Sequence, residues 1–228
     1  MLKAVLFDLD NTLYAYEPCH KAALAAVYQA VSRDFSMTQK TFLTRYHEAR
    51  AVVARRLPTQ AAGHSRLLYF QYFFEQLEGK TCYAESLMAS AIYWEVFFSK
   101  MKLRPGIKQA LRDLKKKNIP CALVSDLTVE LQMEKILNLK LENDFQYLVT
   151  SEEVGVDKPN VRPLKLALKK LGCRAAEVVL VGDSLERDEV VAERASVCFL
   201  HLTSDADGRR LWKQLESMTQ ALDQVVGS

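Results

Sequence analysis

The sequence predicts an α/β protein: a doubly wound parallel sheet, Rossmann-like in its winding, with an all-helical segment inserted after the first strand. Three observations carry that expectation. Five short apolar runs are continuous rather than alternating, the pattern of strands buried on both faces. Helical patterns lie between the later runs, and from about Ala15 to Lys102 no convincing strand occurs.

The elements follow in order. Leu2–Phe7 (LKAVLF) reads as the first strand, too short for a helix and rich in β-formers. Helical stretches then occur at Lys21–Arg33, Thr38–Arg56, Ser65–Gln76 and Glu85–Phe98. Residues 15–102 are therefore expected to form a helical cap, with 1–14 and 103–228 forming the α/β core. Behind Pro105-Gly106 comes a helix over Ile107–Lys117, then a strand at Cys121–Val124 and a helix over Val129–Leu137. Strands at Tyr147–Val149, Val178–Val181 and Val197–Leu200 complete the sheet, with helices over Arg162–Leu171 and from about Gly208 to Val226. The last helix carries Leu211, Leu215, Met218, Leu222 and Val225, a 4-3-4-3 seam of two heptads. Coiled coils need at least about three heptads, so packing on its own sheet is the expected use, with a homodimer contact as the alternative to a monomer.

Composition narrows the class. The 228 residues are 49% hydrophobic and 26% charged, which excludes a disordered chain, a collagen-like fibre and a wholly coiled-coil molecule. The net charge of +3 is far from the concentrated positive charge of a general nucleic-acid binder. Five scattered cysteines without a C-x-x-C pair or zinc spacing point to a reducing compartment. Acids interrupt the apolar N-terminus at once, and nowhere do ~18 apolar residues run together, so a cytoplasmic, untethered protein is expected.

Four separated segments carry acids or a lysine just past the ends of predicted strands, where open α/β sheets bind ligands. The first strand runs into Asp8-Leu9-Asp10-Asn11-Thr12, the second ends in Ser125-Asp126, Lys158-Pro159 follows the third, and Gly182-Asp183-Ser184 with Asp188 follows the fourth. Crowding these carboxylates into one cleft would raise some of their pKa values unless a cation sits there. With oxygen ligands and no motif His or Cys, a hard ion of the Mg²⁺ type fits best.

In this order the segments resemble the phosphatase branch of the haloacid dehalogenase superfamily: Asp-x-Asp-x-Thr, then Ser/Thr, then Lys, then Gly-Asp-Ser-x-x-x-Asp. The resemblance covers nearly the whole chain, cap included. It implies a Mg²⁺-dependent hydrolase of small phosphate monoesters working through an aspartyl-phosphate. Asp8 would be the nucleophile and Asp10 the general acid and base. Mg²⁺ would be held by Asp8, the Asp10 carbonyl and Asp183, while Lys158 and the Ser125 hydroxyl clamp the transferring oxygens. Asp188 would orient Lys158 or a metal-bound water. Asn11 and Thr12 would shape the turn presenting Asp8 and sit by the phosphate, and Tyr14, Tyr16 and Glu17 at the cap hinge are placed to touch substrate.

Other readings stay open beside this one. A phosphomutase would use the same aspartyl-phosphate, but its relatives usually carry Gly where Asn11 stands; a dehalogenase would lack the second acid. A non-catalytic phospho-ligand-binding protein would keep the fold without the chemistry, yet no motif acid is missing. Two positions depart from the family pattern. Asp126 replaces an Asn or Gly beside the phosphate site, and at an effective dielectric near 20 a carboxylate ~4 Å from phosphate costs about 4 kcal/mol per unit charge. Its side chain is expected to point away and cap the Val129–Leu137 helix. Val191 stands where Gly is common, which questions the packing of that loop. In the cap, Leu67–Phe74 (LLYFQYFF) reads as core with a ring-stacking pocket as the alternative, and Arg50, Arg55 and Arg56 as a solvated face rather than an anion site.

Overall fold

The computed structural model describes residues 2–226, with side chains as far as residue 218; Leu222 and Val225 of the last helix's seam lie outside the described side chains. The chain forms two compact units, one of Met1–Ala15 with Lys102–Ser228 and one of Tyr16–Met101.

The first unit is a five-stranded parallel sheet: β1 (Ala4–Phe7), β2 (Cys121–Ser125), β3 (Tyr147–Thr150), β4 (Val178–Gly182) and β5 (Cys198–His201). Their order is β3-β2-β1-β4-β5. From β1 the chain winds outward through β2 to β3 and then returns to the other side of β1 for β4. The switch point therefore lies between β1 and β4, and Asp8 and Asp183 follow those two strands. Register makes this close: Phe7 pairs with Val181, and the Asp8 amide donates to the Val181 carbonyl at 2.8 Å.

The three central strands are buried on both faces, as their continuous apolar runs require. Ala4, Leu6, Ala122, Val124, Val178 and Leu180 line one face with Leu164, Ala167, Val191 and Ala192. Leu164 and Ala167 come from α8 (Arg162–Leu171), and Val191 and Ala192 from α9 (Val190–Ala195). Val191 is fully buried in this core, so the side chain that replaces the usual glycine fills space; burying such a residue contributes ~1.5–3 kcal/mol. The alternate residues Val5, Phe7, Leu123, Val179 and Val181 are equally buried.

The helices α5 (Ile107–Lys116) and α10 (Asp205–Val226) pack together, with Ile107, Leu114, Leu211 and Leu215 buried. Their approach depends on glycine: a Cβ on Gly106, which sits at φ +90°, would lie 2.2 Å from the Gly208 carbonyl oxygen. Between β2 and β3 lies α6 (Val129–Asn138), and the four-residue α7 (Ser151–Val154) follows β3. Helices as short as α7 and α9 leave too little periodicity to be read beforehand.

The second unit holds α1 (Tyr16–Val31), α2 (Gln39–Arg56), α3 (Arg66–Glu78) and α4 (Tyr83–Lys100). The first of these starts at Tyr16 rather than Lys21, because Pro18 falls in the opening turn, where its missing N–H costs nothing. Thr38 and Ser65 cap α2 and α3 through their hydroxyls, and Gly79 closes α3 at φ +67°. Tyr69, Phe70, Phe73 and Phe74 are buried beside Phe42, Tyr46, Tyr93 and Phe97, so the aromatic run is core. Arg50, Arg55 and Arg56 are exposed. Among the described residues no helix is long and apolar enough to cross a membrane, and all five cysteines are free.

Candidate active site

Asp8 is buried at the carboxyl end of β1, and its Oδ1 accepts from the Lys158 ammonium at 2.7 Å. The same Nζ donates to Asp188 Oδ1 at 2.6 Å and to the Val124 carbonyl at 3.2 Å, so all three of its protons have protein acceptors. Asp188 is held in turn by the Ser184 amide at 3.1 Å and packs over Gly182, where a Cβ would lie 2.6 Å from its carboxyl group. That clash explains why the fourth motif opens with glycine.

Asn11, at φ +65°, turns the chain after Asp10 and donates from Nδ2 to Asp183 Oδ2 at 2.7 Å. The Thr12 hydroxyl lies 3.1 Å from Asp8 Oδ2 and 3.3 Å from Asp183 Oδ1 and shares its single proton between them. The first motif thus fixes the acid of the fourth. Arg104, buried and unforeseen, steadies this turn by donating to the Asn11 carbonyl at 3.0 Å and pairing with Asp205 at 3.1 Å. His201 makes a 2.9 Å hydrogen bond with the Asp183 carbonyl.

One carboxylate oxygen from each of Asp8, Asp183 and Asp188 lies within 4.8 Å of the others, an all-oxygen donor set suited to a hard cation. Burial pushes the Asp8 carboxyl up to about 7; Lys158 opposes the rise, while Asp188 and Asp183 add to it. A cation bound among these acids would favour their ionised forms. The cluster gathers Asp188 beside Asp8 and Asp183, and the Asp10 side chain is not part of it.

Asp10 turns instead toward α6. Lys135 donates to both of its oxygens at 2.6 and 2.9 Å, Gln132 donates to Oδ2 at 2.9 Å, and the Tyr14 hydroxyl donates to Oδ1. Burial would raise its pKa, but the Lys135 ammonium and the three neutral and charged donors outweigh it and hold the group below the ordinary value. Lys135 and Gln132 escaped the sequence reading. Their only signal is an inverted face on α6: polar Gln132 and Lys135 are buried while Val129, Met133 and Leu137 are exposed. Gln132 also donates to Ser125 Oγ at 2.6 Å and to the Asp126 carbonyl at 2.8 Å, which ties the second motif to the first.

Asp126 does not cap α6. Its Oδ1 accepts from the Lys158 backbone amide at 2.9 Å, and its Oδ2 lies 3.5 Å from Arg187 Nη1 without forming a hydrogen bond. Glu152 takes the capping place by accepting from the Val129 amide at 2.8 Å. The reason is local: Leu127, at φ +119°, turns the chain so that Asp126 faces the third-motif loop, and Ser151 pins that turn through the Leu127 amide at 2.9 Å. Burial raises the Asp126 pKa, with Lys158 pulling the other way.

Tyr14 is fully buried and supports Asp10, so it presents no surface to substrate. Tyr16 belongs to the aromatic core of the helical unit, where its hydroxyl accepts from Arg66. Glu17 is exposed and pairs with Lys21.

The family model for haloacid dehalogenase-like hydrolases matches residues 2–196. The chain belongs to that family. With the second acid, Asp10, present, it falls in the phosphatase branch of the superfamily. It is 36% identical over 189 residues to a ribulose-1,5-bisphosphate 5-phosphatase from Halopiger xanaduensis, covering 82% of this chain and 79% of that one. It is 28% identical over 206 residues to a glyceraldehyde 3-phosphate phosphatase from Methanothermobacter thermautotrophicus, covering 90% and 87%. Among solved structures, a phosphatase of the superfamily from Thermococcus onnurineus superposes with a TM-score of 0.70 at 22% identity over 92% of this chain and 97% of that one. That likeness shows the fold.

Proposed function

We propose that the protein is a Mg²⁺-dependent hydrolase of small phosphate monoesters, sugar or triose phosphates among them, that works through an aspartyl-phosphate on Asp8. The observation that carries this reading is the convergence of Asp8, Asp183, Asp188 and Lys158 at the sheet's switch point. The phosphatase relatives support the same substrate class.

Mg²⁺, held by Asp8, the Asp10 carbonyl and Asp183, would neutralise the developing charge on the transferring phosphoryl group. The residues do the rest. Asp8 attacks phosphorus and the leaving oxygen departs with the P–O bond, which splits one slow displacement into two. Asp10 carries protons, giving one to the leaving oxygen and taking one from the water that later attacks the phosphoaspartate. Held ionised by Lys135 in the free site, it takes a proton from solvent as the ester binds, gives it to the leaving oxygen and regains one from the attacking water. Asn11 and Thr12, which contact Asp183 and Asp8, and Ser125, at the end of β2, would receive phosphate oxygens, and Asp188 would orient Lys158. Residues 16–101 act as the cap that selects among esters, and the working chain is a monomer or homodimer.

Phosphate release from p-nitrophenyl phosphate, with Mg²⁺ and with chelator, tests the reading. Turnover should require Mg²⁺, and Asp8→Asn should lower it at least ~10³-fold with the melting temperature preserved. Asp8→Asn activity above a tenth of the unmodified protein's would exclude the covalent route.

A further inference from the structure

The last helix of the α/β unit, α10, lies beyond the residues that the family model matches, which end at 196, yet its first turn is tied to the turn after Asp10. Arg104 makes the tie. Its Nη2 donates to the Asn11 carbonyl at 3.0 Å and its Nη1 to Asp205 Oδ1 at 3.1 Å, so one planar fork is shared between the first motif and the start of α10. The main chain of Arg104 is held as well: its amide donates to the Leu13 carbonyl at 2.8 Å and its carbonyl accepts from the Ile107 amide at 3.3 Å.

The approach of α10 to this point is set by backbone packing. A Cβ on Gly106 would lie 2.2 Å from the Gly208 carbonyl oxygen, and one on Gly208 would lie 2.5 Å from the Pro105 carbonyl oxygen, so the openings of α5 and α10 meet without a side chain between them. Asp205 stands in the first turn of α10, where the helix dipole favours an acid. It supplies the counter-charge that a buried guanidinium calls for.

From Asn11 the connection continues to Asp183. Asn11 holds a left-handed conformation at φ +65°, which Asn tolerates and its neighbours must fix. Arg104 holds the carbonyl of that residue, and Nδ2 of the same residue donates to Asp183 Oδ2 at 2.7 Å. Where the turn is held therefore decides how one oxygen of Asp183 is presented.

We propose that Arg104 is a positioning residue for Asp183 and that α10 is a working part of the site, because Asp205 fixes the guanidinium that fixes the Asn11 turn. The cation part of this proposal rests on the Mg²⁺-dependent reading above.

The test is calorimetric titration of the whole protein with Mg²⁺ alone, in the absence of any ester. Loss of a group that orients a metal ligand costs about 10–100-fold in affinity, and Arg104 stands one step further back, so Arg104→Met should weaken Mg²⁺ binding about tenfold and Asp205→Asn about threefold. Raising Mg²⁺ should restore kcat in both, with KM for p-nitrophenyl phosphate within about twofold of the unmodified protein's. The Asp205 side chain is 56% exposed, so Asp205→Asn serves if Arg104→Met unfolds. In the Arg104→Met background Asp205→Asn should add nothing, since it acts through that guanidinium. Additive losses would overturn the part given to α10. Val178→Ala, at the amino end of β4 and away from the site, lowers stability and should leave Mg²⁺ affinity unchanged. Equal weakening by Val178→Ala would mean that any loss of stability loosens the site, and the proposal would fall.

A second readout needs neither metal nor turnover. The Asn11 side-chain amide resonances, assigned by their absence from Asn11→Ala, should move in Arg104→Met and in Asp205→Asn. Unmoved signals overturn the proposal. Moved signals in a protein that neither binds Mg²⁺ nor hydrolyses p-nitrophenyl phosphate would support the positioning of Asp183 and overturn the phosphatase reading alone.

Discussion

Asp8 and Asp10 stand two residues apart in one motif, yet their surroundings push them in opposite directions. Asp8 shares Lys158 with Asp188 and lies by Asp183, so burial prevails and its carboxyl rises to about 7. Asp10 accepts from Lys135 at both oxygens, with Gln132 and Tyr14 as further donors, and is held low. The difference is one of donor supply rather than burial. Where Lys158 is shared by two acids, a bound cation would favour their ionisation; where Lys135 donates to both oxygens of Asp10, the acid is already charged. Such divergence within a pair of carboxylates is how an active site separates nucleophile from proton carrier.

Removing the shared cation should break the comparison most severely. Lys158→Met leaves Asp8, Asp188 and Asp126 buried around an apolar side chain, so we expect a loss of about 3–5 kcal/mol in denaturant unfolding and at least ~10²-fold in turnover. Wild-type stability in this variant would mean that the acids simply hold their protons. Lys135→Met acts on the other member of the pair. Without its cation the Asp10 pKa rises, so Asp10, the base of the proposed mechanism, is protonated over a wider range of acidic pH. Turnover should fall about tenfold at pH 6 and less than threefold at pH 8. An equal loss at both would assign Lys135 a purely structural place.

A smaller effect follows from Asp8 itself. Its folded-state pKa of about 7 stands above the ordinary 3.8, so between these values the folded chain keeps a proton that the unfolded chain has released. This contribution is fully present below about pH 4 and is lost as pH rises through about 7. In chelator, the melting temperature of the unmodified protein should therefore fall across this window by a few degrees more than that of Asp8→Asn, and Mg²⁺ should remove the difference. The smallest effect is expected of Asp126→Asn. An amide oxygen accepts from the Lys158 backbone as the carboxylate does, so KM should change less than threefold and stability by about 1 kcal/mol or less. A tenfold fall in KM would place Asp126 against the substrate.

The central strands were legible because each is apolar on both faces, and α5 and α8 because each keeps a single apolar face. The motif acids were legible because they sit at strand ends. Lys135 and Gln132 were not, since nothing in a helix's own sequence says which tertiary partner faces it. Asp126 was misread as a cap because its direction depends on the left-handed turn at Leu127, which no residue preference announces.

The inverted face of α6 has an outcome for folding order. A helix that turns Gln132 and Lys135 inward, and leaves Met133 and Leu137 in water, gains little from docking until Asp10 is there to meet it. Apart from the buried Ile136, its attachment is electrostatic where that of its neighbours is apolar. The amides of α6 should thus be among the first in the α/β unit to exchange with solvent, and their protection should weaken at high salt while that of the central strands does not.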